Sequence, residues 1–286
     1  MVETRRARAE ELPRLKELWK TAFGDGEVFL ERFFREYAAP EQVLTLCEDG
    51  APAAMLVLLP QTLTVEGKGE ALPYIYALTT RPDCRGKGYA GRLMEYAGEL
   101  ARAQGADKIS TVPAQESLHR FFGGEGFREG FVTWEGTFSV EELPPAEGKA
   151  EPVTAEEYGA LREEILEKLP HLSYPETQLR LQEMICHMSG GGLYRLEIAG
   201  RKGCAAVEVL DEGAVLAKEL LCPGGALAGA GRLAKLLPAK RYVIRTPAAW
   251  AGPNGELRRF GMVKSLRTGE KLTIPEDGWY LGLAFD

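Results

Sequence analysis

The residues best suited to chemistry in this sequence form a short turn, Arg85 to Gly88, that holds two cations and two glycines. An apolar and aromatic run from Leu72 to Thr80 precedes the turn, and apolar residues at helical spacing follow it. Glycines let a backbone close on an anion, and the first N–H groups of a helix carry a partial positive charge. A turn of this composition at the start of a helix therefore predicts binding of a phosphate group.

The elements that must position this turn are a buried strand and an amphipathic helix. Pro73 and Pro82 bound the run, whose aromatic and β-branched residues favour a strand. The helix is predicted because apolar residues recur at spacings of three and four and Gly105 stands where a C-cap glycine belongs. These apolar residues are Ala90, Leu93, Met94, Ala97, Leu100 and Ala101.

Two common phosphate-binding patterns, the Walker motif and the dinucleotide GxGxxG, are absent from this region. The sequence holds Arg85-x-x-Gly88-x-Ala90 instead. This pattern resembles the acetyl-CoA signature of the GNAT N-acetyltransferase superfamily, (Gln/Arg)-x-x-Gly-x-(Gly/Ala). The stretch from Gln115 to Phe127 is similar to the same family's Asn-x-x-Ala-x-x-(Phe/Leu)-Tyr-x-x-x-Gly-Phe, so the resemblance extends over residues 72–127.

The resemblance implies that acetyl-CoA is the cosubstrate, and it assigns roles by position. In the family, the strand before the turn separates from its neighbour and its backbone groups bind the pantetheine. Polarisation of the thioester carbonyl then falls to the backbone of Leu78 and Thr79. The residues predicted to bind the cofactor are Leu78, Thr79, Thr80, Arg85, Gly86, Lys87, Gly88, Tyr89, Ala90 and Gln115, the last in the family's Asn position. No metal is predicted.

The family's usual proton donor is missing from its position. A Tyr there commonly protonates the departing thiolate, and Phe122 occupies this position. Phenylalanine has no proton to give, so the protein is inactive, leaves protonation to water, or uses another group. Candidates for that group are Tyr76, Tyr89 and His119. Cys84 lies beside the phosphate turn, where a thiol is far from the thioester, so we predict no covalent acyl-enzyme.

Composition narrows the class of partner and the compartment. The chain has 286 residues and a net charge of −7, which argues against a nucleic-acid or membrane partner and is compatible with a cationic amine. The cysteines lack CxxC spacing and are read as reduced thiols: Cys47, Cys84, Cys186, Cys204 and Cys222. The first residues are charged, so no signal peptide is predicted. We expect a cytoplasmic protein.

The order of predicted elements repeats once along the chain. Each half is predicted to contain two helices, a hairpin, a strand, a glycine turn and a helix. Tyr89–Leu93 also matches Gly229–Leu233, since both end in Ala-Gly-Arg-Leu. Repeats of this length indicate duplicated domains. With the resemblance, they predict an α+β fold of two tandem GNAT-like domains, each a mixed, mostly antiparallel sheet flanked by helices. The predicted limits are 1–142, a linker at 143–152, and 153–286.

The second copy lacks the chemistry of the first. Gly225-Ala226-Leu227-Ala228 replaces the cationic turn, and no cation follows in sequence until Arg232. An apolar turn leaves a pyrophosphate without countercharges, so the second domain is interpreted as degenerate and is expected to line the acceptor site. The layout resembles the first two domains of the enhanced-intracellular-survival type acetyltransferases, without their third, sterol-carrier-like domain.

Two function classes stay open at this level. The first is an N-acetyltransferase that passes an acetyl group from acetyl-CoA directly to a primary amine, with its rate derived from orientation and a polarised carbonyl. The alternative is a non-catalytic CoA-binding or protein-interaction module that has lost turnover. The sequence leaves the acceptor amine, the acid and base groups and the oligomeric state undetermined.

Overall fold

The structure is a computed structural model that describes residues 1–145, 147–210, 213–223, 225–269 and 272–285. The α-helices in these ranges are α1 (Leu12–Phe23), α2 (Glu27–Arg32), α3 (Tyr89–Ala103), α4 (Glu116–Gly124), α5 (Ala155–Leu166), α6 (Glu176–Met188) and α7 (Ala226–Leu233). The strands are β1 (Val2–Arg6), β2 (Val43–Glu48), β3 (Ala51–Leu59), β4 (Thr62–Val65), β5 (Lys68–Ala71), β6 (Tyr74–Thr80), β7 (Lys108–Thr111), β8 (Arg128–Ser139), β9 (Gly148–Pro152), β10 (His171–Ser173), β11 (Gly192–Ile198), β12 (Arg201–Leu210), β13 (Ala214–Leu221), β14 (Arg241–Pro247) and β15 (Gly255–Ser265).

The chain forms two compact units, each assembled from more than one segment. The first unit comprises Met1–Thr62, Glu70–Arg128 and Met262–Leu272. The second comprises Leu63–Gly69, Glu129–Gly261 and Thr273–Asp286. The limits 1–142, 143–152 and 153–286 stay a prediction about sequence domains.

The sheet of the first unit runs in the order β1, β2, β3, β6, β7 and the Met262–Ser265 part of β15. The β6–β7 pair is parallel, and the other described pairs of this unit are antiparallel. Helix α3 contributes Leu93, Met94 and Ala97 to the buried core of this unit, and Met262 joins the same core. The strand and the helix on either side of the predicted turn are thus fixed by one apolar core.

The sheet of the second unit repeats this order with different strands. It runs β9, β11, β12, β13, β14 and β8, and β13–β14 is parallel among antiparallel pairs. The last strand of each sheet is supplied by the other half of the sequence, since β15 pairs with β7 and β8 pairs with β14. A separate three-stranded sheet has the order β10, β4, β5.

Two edge strands lie where the sequence predicts none. Strand β1 pairs with β2, and β9, inside the predicted linker, pairs with β11. Both are the terminal strands of their sheets and carry mostly polar side chains, VETRR and GKAEP. Edge strands tolerate charges because one side meets solvent, so they lack the hydrophobic alternation on which a strand prediction depends. Strands β5 and β10 escape the prediction as well.

The ends of two helices carry ordinary capping residues. Helix α1 ends at Gly24, whose φ of 78° is the left-handed conformation of a C-cap glycine. Helix α5 begins with a capping box, in which the Thr154 side chain accepts a bond from the Glu157 amide at 3.3 Å. Helix α2 is followed directly by a π-helical segment at Phe33–Tyr37.

Candidate active site

The turn before α3 is held in the conformation that only glycine adopts without strain. Gly86 and Gly88 have φ values of 79° and 75°, and Gly88 is the N-cap of α3. A Cβ atom built on either glycine meets no atom within 4 Å in the described structure. Open space therefore lies in front of the turn, as a cradle for an anion requires.

The start of α3 supplies backbone donors to this space. The first helical bond runs from the Arg92 amide to the Gly88 carbonyl at 3.2 Å. The amides of Tyr89, Ala90 and Gly91 precede it, and Gly88 provides no side-chain cap. Helix N-termini leave such N–H groups for external acceptors. The backbone N–H groups at the start of α3 thus follow directly on the two glycines of the turn.

The two cations of the turn differ in their surroundings. Lys87 Nζ lies 2.9 and 3.0 Å from the two carboxylate oxygens of Glu48, the last residue of β2. Arg85 is exposed, and its Nε donates to the Thr80 carbonyl at 3.4 Å. The charge of Lys87 is therefore compensated by a carboxylate of the protein, whereas Arg85 is exposed and contacts a neutral carbonyl.

Glu48 gathers three residues of the turn onto one carboxylate. Tyr89 Oη donates to it at 2.5 Å and Cys84 Sγ at 3.4 Å, beside the two bonds from Lys87. The Tyr89 hydroxyl, then Lys87 and then the Cys84 thiol lower the pKa of Glu48 to about 2. The Cys84 side chain is buried, and burial followed by its bond to Glu48 raises the pKa of its thiol. The thiol form is thus favoured, which fits the prediction of no covalent step at Cys84.

Strand β6 separates from β7 before the turn. The described ladder between them has two pairs, Tyr74↔Ser110 and Ile75↔Thr111, and β6 continues to Thr80. A bulge interrupts the β3–β6 register, and Ala77 in this bulge has a φ of 51°. The gap that the family resemblance predicts beside β6 therefore begins directly after Ile75.

The register decides which backbone groups face this gap. The Arg81 amide donates to the Ala53 carbonyl at 2.8 Å, so Arg81 faces β3. Because hydrogen-bonded and non-hydrogen-bonded positions alternate in an antiparallel pair, Thr79 faces β3 as well. Thr80, between these two residues, points its backbone groups to the other side. The contacts of Leu78, Thr79 and Thr80 with the cofactor stay a prediction.

The proton-donor position and its substitutes lie in different environments. Phe122, on α4, is 5% exposed and belongs to the core of the first unit, with its ring 5.5 Å from that of Phe127. Tyr76 is half-buried, and its ring lies 5.3 Å from the Trp19 ring. The Tyr89 hydroxyl is engaged by Glu48. His119 is half-buried on α4.

Gln115 is the exposed N-cap residue of α4. Its side chain makes no capping hydrogen bond to the helix, so the amide is presented to solvent at the end of the segment that follows β7. Contact between Gln115 and the pantetheine stays a prediction.

Helix α7, which corresponds to α3 in the second unit, is packed closely against other parts of that unit. Helix α7 has 8 residues, and a Cβ on its Gly231 would lie 2.1 Å from the Pro144 carbonyl oxygen. A Cβ on Gly229 would lie 3.3 Å from that of Cys222. A cation does approach, since Arg201 Nη1 donates to the Pro223 carbonyl at 3.4 Å. The sequence, which places the next cation at Arg232, does not reveal this contact.

No helix within the described residues is long and apolar enough to cross a membrane. The same ranges contain no group of three or more His, Cys, Asp or Glu side chains arranged to hold a metal ion. The five cysteines are buried and carry no disulfide.

Residues 3–126 match the family model described as acetyltransferase (GNAT) domain. This part of the chain is therefore a GNAT acetyltransferase domain, and it contains the turn, the diverging strand and α3. No curated protein matches the chain.

Solved structures extend the likeness to nearly the whole chain. A GCN5-related N-acetyltransferase from Anabaena variabilis ATCC 29413 has a TM-score of 0.71 and 14% identity, and the match covers 93% of this chain and 73% of that one. Eis1 from Mycobacterium abscessus gives 0.65 and 13%, with 93% and 74% covered. A tandem GNAT protein from the clavulanic acid biosynthesis pathway gives 0.55 and 14%, with 94% and 100% covered. At 13–14% identity the similarity is one of fold alone, and it confirms the predicted α+β class with two tandem GNAT-like domains.

Sequence reasoning missed Glu48. The sequence gives little indication of its role, because acidic residues commonly stand between a strand and a turn. Only the folded chain brings it to the turn, 39 residues away from Lys87 in sequence.

Proposed function

We propose that this protein is an acetyl-CoA-dependent N-acetyltransferase that moves the acetyl group directly to a primary amine. The observation that carries the proposal is a coincidence of family and geometry. The GNAT domain match over residues 3–126 includes a glycine turn that faces open space and leads into the first amides of α3.

The residues present suit the pyrophosphate of acetyl-CoA. The amides of Tyr89, Ala90 and Gly91 supply donors, Gly86 and Gly88 allow close approach, and Arg85 supplies a countercharge. The pantetheine would run in the gap beside β6, along the backbone of Leu78, Thr79 and Thr80. Acetyl-CoA acts here as a cosubstrate, and the proposal involves no metal.

In the proposed reaction the amine nitrogen bonds to the carbonyl carbon of the thioester, the carbon–sulfur bond breaks, and the amine gives up a proton to water. The backbone amide of Leu78 would stabilise negative charge on the carbonyl oxygen. The departing sulfur takes up a proton from water, because Phe122 has none to give. A thiol has a pKa of about 8.5, so the thiolate is a tolerable leaving group without a dedicated acid.

The burial of Phe122 favours a second candidate function, a CoA-binding module without turnover. The position at which the family commonly carries its acid is occupied by an apolar ring in the core, and the Tyr89 hydroxyl is bound to Glu48. Of the substitutes expected from the sequence, Tyr76 and His119 are left. We place the catalytic function first because water replaces a general acid at the cost of rate alone.

The test separates binding from turnover. Calorimetric titration of the full chain with acetyl-CoA is expected to give one site per chain, since Gly225-Ala226-Leu227-Ala228 replaces the cationic turn in the second unit. Thiol release is then followed with a panel of primary amines: a polyamine, an amino acid, an aminoglycoside and a lysine peptide. Amine-dependent release supports the enzyme. Binding without release, in wild type and in Phe122→Tyr, supports the module, and absence of binding overturns both.

A cytoplasmic location belongs to the same proposal, since acetyl-CoA and reduced cysteines are expected together there. A small or peptide amine is the proposed partner. Nucleic acid and membrane are not proposed as partners, given a net charge of −7.

A further inference from the structure

Glu48 stands at the centre of the turn although it belongs to none of the motifs. Its carboxylate accepts from Lys87 Nζ at 2.9 and 3.0 Å, from Tyr89 Oη at 2.5 Å and from Cys84 Sγ at 3.4 Å. These three residues span the whole turn, from the end of the 3₁₀ segment Pro82–Cys84 to the first residue of α3. One side chain of β2 thus restrains the turn at three points.

The restraint brackets the two flexible residues. Lys87 precedes Gly88 and Tyr89 follows it, while Cys84 lies on the other side of Gly86. Glycine populates many backbone conformations, so a turn with two glycines loses much entropy when it is ordered on an anion. Contacts on both sides of Gly88 limit these conformations before the ligand arrives.

The same contacts also assign the charges. The Glu48 side chain is 23% exposed and that of Lys87 is 45% exposed, and Lys87 Nζ lies 5.7 Å from the centre of the Tyr89 ring. Both carboxylate oxygens contact the ammonium, so the charge of Lys87 is compensated within the protein. Arg85 is exposed and is bonded to a neutral carbonyl.

We propose that Glu48 is the positioning residue of the cofactor turn: it fixes the glycine cradle through Lys87 and Tyr89, and Lys87 serves as a strut rather than as a phosphate ligand. This inference rests on the proposed binding of acetyl-CoA. It assigns a role to a residue outside the family motifs and gives Lys87 a role different from that of Arg85.

The experiment compares Glu48→Gln, Lys87→Met, their double variant and Tyr89→Phe with wild type, and Glu95→Gln, an exposed residue of α3, is the matched control. CoA affinity is measured by calorimetry. We expect each variant of the Glu48–Lys87 pair to weaken CoA binding about fivefold, the size typical of an exposed ion pair with one additional bond. The double variant is expected to match the singles, because both remove one contact.

Two further readouts distinguish positioning from general damage to the fold. Hydrogen exchange at amides 84–92 is expected to quicken in Glu48→Gln without ligand, while amides of β3 keep their rates. In turnover, KM for acetyl-CoA is expected to rise with kcat unchanged, and kcat/KM for S-acetylpantetheine, which lacks the pyrophosphate, to stay at the wild-type value.

The opposite sign is the decisive contrary result. If Lys87 is a phosphate ligand that Glu48 holds back, Glu48→Gln will tighten CoA binding and Lys87→Met will weaken it, and the proposed role of Glu48 falls while the proposed function stands. Multiplied effects in the double variant overturn it likewise. Wild type without CoA binding removes both proposals.

Discussion

The two strand–turn–helix regions of this chain have the same topology and different surroundings. Before α3, left-handed glycines face open space and two cations flank them. Before α7, the described part of the turn is apolar, and the Pro144 carbonyl and Cys222 pack against the helix. Topology therefore does not decide whether a helix N-terminus receives an anion. Anion binding at a helix N-terminus requires that the chain leave space open there and supply positive charge beside it.

Carboxylates show the same contrast. Glu48 ends β2 in the first unit, and the last residue of the corresponding strand β11 is the buried Ile198. The second unit has its central carboxylate in the core instead: Glu219 accepts from Arg162 Nε at 2.9 Å and from Arg162 Nη2 at 3.2 Å. The first unit thus uses its carboxylate to order a surface turn, and the second uses one to join α5 to β13.

The largest expected effect sharpens this contrast in stability. Both side chains of the Arg162–Glu219 pair are almost fully buried, at 1% and 0% exposure. Glu219→Ala leaves the buried Arg162 guanidinium without its buried carboxylate partner, and we expect the free energy of unfolding to fall by about 3–5 kcal/mol. Chemical denaturation measures it. The exposed pair Lys202–Glu164 provides the control, since Glu164→Ala should cost less than about 1 kcal/mol. Similar losses in the two variants would remove the distinction.

The next effect concerns the cradle. Gly88→Trp introduces a side chain at a φ of 75° and fills the open space, so CoA affinity should fall by at least about 100-fold, or 2.7 kcal/mol. Gly200, in the β11–β12 turn, has a φ of 74° and open surroundings like those of Gly88, so the matched variant is Gly200→Trp. It controls for backbone strain and should bind CoA as wild type does. Calorimetry that finds unchanged binding in Gly88→Trp would place the cofactor elsewhere.

A smaller effect tests the unequal cations. Arg85→Gln removes the charge at the open face, and CoA affinity should fall by about 1.5–2 kcal/mol if that charge meets a phosphate. Arg102→Gln, exposed in the last turn of α3, should leave affinity unchanged. The loss at Arg85 should exceed the loss at Lys87, and the reverse order in titrations would show that the ion pair with Glu48 opens on binding.

The smallest expected effect tests the missing acid. Phe122→Tyr places a hydroxyl at the family's usual position, and we expect kcat to rise about tenfold, below the range of about 10²–10⁴ for evolved general acids, because the surrounding core is packed for phenylalanine. Phe121→Tyr, 39% exposed on the same helix, should have no effect. If Phe122→Tyr is neutral and Tyr76→Phe abolishes thiol release, the acid is Tyr76.

Elements with an apolar face were predictable from the sequence, and polar elements were not. The spacing of Leu93, Met94 and Ala97 gives α3, and the aromatic run gives β6, because burial leaves a periodic trace. Strands β1 and β9 lie at sheet edges and leave none. The exchanged strands escaped prediction for another reason, since partner choice between β7 and β15 depends on pairs about 150 residues apart.

Within the candidate site, the motif residues were predictable and their partners were not. Arg85, Gly86 and Gly88 are recognised by spacing alone. The Glu48 contacts and the bulge at Ala77 arise from strand pairing and register, which no local pattern records. The burial of Phe122 likewise depends on how α4 packs.

The exchange of terminal strands has a consequence for synthesis. As the chain leaves the ribosome from its N-terminus, residues 1–128 appear long before Met262–Ser265, the strand that pairs with β7. Domains usually fold as units in order of synthesis, but here the first sheet waits for nearly the last part of the chain. During that interval Met262 is missing from the core and the outer side of β7 is bare. A nascent chain halted before residue 262 should therefore recruit chaperones, and the complete chain should acquire protease resistance in both units in a single step.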